Sequence, residues 1–174
     1  MATSLYDLGV ASYLQTVGAV SGFLERGAKH CQETGADPDE LVDVRLFDDM
    51  LPFHFQIRSV AHHSVGALEG VKSGLFLPPA AVGPLPYADL QAMMAQTETA
   101  LKALTPDEVN GWAGKDVAFQ IGDRKIPFTA ENFILSFSLP NFHFHATTAY
   151  DILRMKGVPL GKRNYLGHMR MKAA

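Results

Sequence analysis

Apolar positions recur along most of this chain at three- and four-residue steps, the period of helices that bury one face. The first such stretch covers residues 4–34, with Leu5, Leu8, Leu14, Val17, Val20, Leu24, Ala28 and Cys31 on its stripe. Ser4 is placed to cap its start, with Asp7 three residues later in a capping-box role, and Gly35 stops it. Pro38, Asp39 and Glu40 predict a short turn of helix, since proline is tolerated at a first helical position. A second helix is predicted over 46–73, where Phe53, Ile57, Val60, Ser64, Ala67 and Val71 trace the buried stripe up to Gly74. Residues 75–87 hold four of the ten prolines and read as a crossing loop. A third helix follows over 87–104, with Leu90, Met93, Met94, Thr97 and Leu101 on one side, and Pro106 closes it.

The period then changes. Val117, Phe119 and Ile121 alternate, Gly122-Asp123 turns, and Ile126 and Phe128 follow, which predicts a short hairpin over 115–128. Thr129 caps a fourth helix to about residue 156, with Ile134, Ser138, Asn141, His145, Ala149 and Ile152 on one face. Pro140 lacks an N–H and is expected to kink that helix. The expectation is an all-α four-helix bundle, with a short β-hairpin before the last core helix, as a single domain over 1–174.

A chain of 174 residues, 47% hydrophobic and 19% charged, is globular and needs no covalent staples. Its 15 basic and 18 acidic residues leave a net charge of −3, so no nucleic-acid partner is expected. The single cysteine, Cys31, excludes an internal disulfide and a cysteine-only zinc site, and suits a reducing compartment. The opening MATSLYDLGV lacks the basic region and apolar core of a signal peptide. No apolar run approaches about 18 residues, so no membrane span is expected and the cytoplasm is the default location.

Candidate chemistry sits with the histidines. At about 100° per residue, His63 and Gln56 fall near one edge of the second helix's apolar stripe and His54 near the other, while His62 points away. On the fourth helix His145 falls at the centre of the stripe, with Asn141 one turn before it and Thr148 on the same side; His143 faces outward. His63 and His145 are thus the inner pair and His54 a third candidate, with His30, His62, His143 and His168 outer or terminal. Neutral imidazoles suit Zn, Ni or Fe, with Gln56, Asn141 and Thr148 as further lining of a small-ligand pocket. The alternative is an internal hydrogen-bonded network that needs neither metal nor ligand.

Four segments, SLYDLGV, DDMLPFHFQIRSVAHH, LPNFHFHATTAYDILR and GVPLGKRNYLG, resemble the uncharacterised family DUF1993 across nearly the whole chain. That family is grouped with the DinB/YfiT-like metalloenzymes, and the resemblance implies an up-down-down-up four-helix bundle. In DinB-like proteins a histidine on the second helix and a His-x-x-x-His pair on the last core helix commonly hold a divalent metal. His63 and His145 match two of those positions; the third falls on Asn141, which breaks the pattern. The resemblance implies a fold and a place for a site, not a reaction.

Two basic features carry less. Gly157 to Lys162 superficially resembles a phosphate loop, but its spacing is one residue short, Arg163 stands where a Ser or Thr belongs, and it follows a helix. The tail with Lys162, Arg163, His168, Arg170 and Lys172 reads as a solvated terminus, pinned in part by Tyr165 and Leu166. Two functions are therefore weighed: a metal or small-ligand site between helices two and four, and a non-enzymatic bundle that associates as a homodimer through a helical face.

Overall fold

A computed structural model describes residues 3–172. Four helical rods dominate it. The first joins a π-helical turn, Asp7–Ala11, to an α-helix, Ser12–Thr34. The second runs through Phe53–Ala61, a π-helical turn His62–Gly66, and Ala67–Ser73. The third is Tyr87–Ala103. The fourth runs through Ala130–Phe133, a π-helical turn Ile134–Ser138, and Leu139–Met155. Rod one packs along rod three and rod two along rod four, and further contacts tie rod two to rod three and rod one to rod four. Among the described residues no helix is long and apolar enough to cross a membrane.

The ends of these rods follow their local chemistry. Ser4 and Asp7 cap one another reciprocally: the Asp7 N–H donates to Ser4 Oγ at 3.1 Å and the Ser4 N–H to Asp7 Oδ2 at 3.4 Å. Thr129 Oγ1 accepts from the Asn132 N–H at the start of rod four. Rod two begins at Phe53 and not at residue 46. Pro52 holds the chain extended there, and residues 47–50 form a separate turn closed by Met50 N–H donating to the Phe47 carbonyl.

The predicted hairpin is part of a three-stranded sheet. Strand β2 (Asp116–Ile121) pairs antiparallel with β3 (Arg124–Thr129), and β1 (Leu75–Phe76), from the proline-rich loop, adds a parallel pairing to β2. Gly122 opens the two-residue turn at φ +55°, a conformation open to glycine without cost. Pro127 is tolerated because β3 is an edge strand.

The π-turns change which residues face inward. One extra residue in a turn rotates everything beyond it by about 100°. In rod four the interruption expected at Pro140 takes the form of the π-turn just before it. Beyond it Phe142, Ala146, Ala149 and Leu153 are fully buried, whereas Asn141 and His145 sit half-buried on the flank and not at the stripe's centre.

Candidate functional site

The wall between rods two and four brings His63 and His145 together. Their rings stack with centroids 5.7 Å apart and planes 18° from parallel. Around them stand Phe76 and Phe137 against His63, at 5.5 and 5.8 Å, and Phe55 and Phe144 against His145, at 5.8 and 5.3 Å. The pair is thus set in an aromatic frame that buries His63 and leaves His145 half-buried.

Hydrogen bonding fixes the state of His145. The Gln56 Nε2 amide donates to the Leu51 carbonyl at 2.7 Å, which orients the Gln56 side chain. Its Oε1 then faces His145 Nδ1 at 2.8 Å. A carbonyl oxygen only accepts, so Nδ1 carries the proton and Nε2 keeps its lone pair. This is the arrangement in which a second partner orients an imidazole for use at its other nitrogen.

His63 is held differently. It is 8% exposed, and its buried Nδ1 has no hydrogen-bond partner. Its position is set through the backbone: Ser138 Oγ, in the π-turn of rod four, donates to the His63 carbonyl at 2.6 Å. The buried Tyr13 hydroxyl of rod one completes the chain by donating to Ser138 Oγ at 2.7 Å. Within rod two's own π-turn, Ser64 Oγ donates to the carbonyls of Val60 and Ala61. Hydroxyls thus engage main-chain oxygens in and beside a stretch whose regular hydrogen-bond ladder is interrupted.

Burial makes both rings poor bases. Desolvation, aided by the neighbouring His62 and His145, lowers the pKa of His63 to about 3. Desolvation, with a smaller contribution from His62, lowers His145 to about 4. Both are therefore neutral near pH 7, with lone pairs available.

The other candidate residues divide. Gln56 is 2% exposed and touches the pair directly. Asn141 donates its amide to the Phe137 carbonyl at 2.7 Å, and Thr148 donates its hydroxyl to the Phe144 carbonyl at 2.8 Å, so both spend their donors on their own helix. His54 is buried but lies away from the pair, with Nε2 3.8 Å from Asp43 Oδ1; nine residues before His63, it falls on the opposite side of the rod. His62 is not solvated as expected. Its Nε2 donates to the Leu77 carbonyl at 3.0 Å, and its ring packs 4.5 Å from Phe76. It lines a cavity of about 760 Å³ between rods two and three, below the proline-rich loop, with Arg58, Glu69, Met93 and Gln96. The sequence places Ser138 on the buried face of its helix but gives no sign of its link to Tyr13 and the His63 carbonyl. Both residues are buried, and Ser138 lies in the π-turn of rod four.

Among the described residues no group of three or more His, Cys, Asp or Glu side chains is placed to hold a metal ion. Cys31 is buried and its pKa raised, chiefly by desolvation, as befits a core thiol rather than a nucleophile.

The chain is similar in structure to a DinB family member protein from Shewanella denitrificans, with a TM-score of 0.84 and 25% identity over 98% of this chain and 96% of that one. No curated protein gives a match. The model of a domain of unknown function, DUF1993, matches residues 5–166. With that match spanning all four rods, the hairpin and the tail, the chain belongs to the DUF1993 family and has a DinB-like helical fold.

Proposed function

We propose that the His63–His145 pair is the working centre of this DinB-like protein, and that it takes a divalent ion or a small polar ligand through its imidazole nitrogens. The observation that supports this is the buried, unpartnered Nδ1 of His63 beside a ring already oriented by Gln56. An unsatisfied buried polar atom costs about 1–3 kcal/mol. Native structures retain few, so such an atom calls for an occupant or a task.

The donor set limits what is bound. Catalytic zinc ordinarily has three protein ligands and an open position. Here two neutral imidazoles are adjacent, and Asn141 occupies the sequence position that the DinB-like pattern gives to a third. A carboxamide oxygen is a weak ligand for Zn, Ni or Fe. The residues therefore fit a two-nitrogen ion site whose other positions fall to water or substrate, and not a three-imidazole centre. An ion held there supplies Lewis acidity. The up-down-down-up order of rods belongs to the same reading.

Titration of chelator-stripped protein with Zn²⁺ tests it. About one ion per chain is expected, with loss of binding in both His63→Ala and His145→Ala. Absence of binding by Zn²⁺, Ni²⁺ and Fe²⁺ alike, in protein that remains folded, removes the metal reading.

A second reading has its own support. The Gln56–His145 bond is the start of a purely structural network. Phe144 and Leu51, beside it, are 55% and 48% exposed, an apolar rim suited to association of two copies. Light scattering at high concentration decides this one: a dimer supports it, and a strict monomer removes it.

A further inference from the structure

The basic tail does not run free. Its short helix, Lys162–Leu166, docks on rod one, where Gln15 Nε2 donates to the Leu166 carbonyl at 2.9 Å. Gly167 follows at φ +59°, and a Cβ there would lie 3.0 Å from both the Ala19 Cβ and the Gln15 carbonyl oxygen, so only glycine permits this approach. Asn164 accepts from the Gly161 N–H at 2.9 Å and fixes the start of the short helix. The docked tail and rod one enclose a cleft of about 570 Å³, well apart from His63 and His145.

The lining of this cleft is unlike the rest of the protein. Arg26 and Lys29 enter from rod one and Arg163 from the tail, with Glu25 the single acid, in a chain whose net charge is −3. Arg26 and Arg163 form no ion pair among the described residues. Lys29 meets Glu33 at 3.6 Å, but both side chains are more than half exposed, so that pairing is weak and yields readily to a competing anion.

The floor is bare. Gly18 and Gly22 lie inside a long helix, where glycine weakens the structure. At either one, an added Cβ would find no atom within 4 Å, so internal packing gives no reason for glycine there. Open space thus lies directly beneath three cations drawn from two separate segments.

We propose that this cleft binds a small phosphorylated molecule carrying at least two negative charges. Guanidinium forks match phosphate oxygens bidentately. Three cations exceed what a single carboxylate would balance, and the volume exceeds that of one phosphate group. The tail, ordered by Gln15 and Gly167, then serves to bring Arg163 to rod one.

Calorimetric titration with inorganic pyrophosphate at low salt tests the proposal. Wild-type protein is expected to bind, and the double variant Arg26→Gln/Arg163→Gln to bind at least about tenfold more weakly. Gly22→Leu puts bulk into the floor from a position where an added Cβ meets no atom within 4 Å, so it is expected to weaken binding by a similar factor while the melting temperature is kept. His63→Ala is expected to bind pyrophosphate as the wild type does, which separates this site from the imidazole pair. Equal binding by the double arginine variant overturns the proposal. So does an oligonucleotide that binds more than about tenfold tighter than pyrophosphate, which would assign the patch to nucleic acid.

Discussion

Tyr13 and the His63 ring are both buried polar groups in one bundle, and they are treated in opposite ways. The Tyr13 hydroxyl donates to Ser138, which donates to the His63 carbonyl, and that chain closes with nothing left over. On the same residue, the His63 Nδ1 has no partner at all. The first arrangement is what a core does to hold two rods in register. The second is uncommon in a core; His54 Nδ1 and Ser21 Oγ share it, and only His63 has it beside a second imidazole. Under the proposed reading the contrast separates scaffold from site within a single residue: the main chain of His63 is tied into the scaffold, and its side chain is the part assigned to a ligand.

The largest expected effect comes from breaking the closed chain. Ser138→Ala strands both the Tyr13 hydroxyl and the His63 carbonyl, and is expected to cost about 2–6 kcal/mol in a denaturant melt, from two buried groups at about 1–3 kcal/mol each. A loss below about 0.5 kcal/mol would show that the relay does not hold the rods.

Acid sharpens the same comparison. The two rings titrate near 3 and 4 in the folded protein, against about 6.5 unfolded. Below the unfolded value the unfolded chain binds more protons, so stability is complete above about pH 7 and falls as pH drops toward the folded values. The denaturation midpoint is expected to fall between pH 7 and pH 5, before ordinary carboxylates titrate. His63→Phe is expected to flatten that fall; an unchanged slope would contradict the neutrality assigned to His63.

The smallest effect belongs to Gln56→Leu. It removes one hydrogen bond from a half-buried ring and is expected to cost about 1 kcal/mol. Its value lies elsewhere: freed of Gln56, His145 loses its fixed tautomer, and zinc affinity is expected to fall by about 10–100-fold. Unaltered affinity would relegate Gln56 to packing.

Much of this architecture is legible in the sequence, because period and punctuation agree. The rods stop at Gly35, Gly74 and Gly157, and Ser4 and Thr129 cap where their spacing places them. Counting residues around two helices turns His63 and His145 inward on rods two and four, but puts His145 at the stripe's centre and not on the flank. What is not legible depends on the three π-turns, since an extra residue in a turn leaves no mark on an apolar period of three and four. Those turns move Asn141 and His145 to the flank and bring Ser138 to the His63 carbonyl. The strand Leu75–Phe76 is hidden for another reason: two residues are too few to show alternation, and their partners, Ala118 and Phe119, lie far along the chain.

The imidazole nitrogens themselves give the most direct test. In ¹⁵N-histidine-labelled, chelator-stripped protein near pH 7, the account predicts two neutral rings, with His145 protonated at Nδ1. One equivalent of Zn²⁺ should shift a nitrogen of both His63 and His145 while leaving His54 and His143 unmoved. A spectrum in which neither inner ring responds to the ion, or in which either is already protonated at both nitrogens, would contradict it.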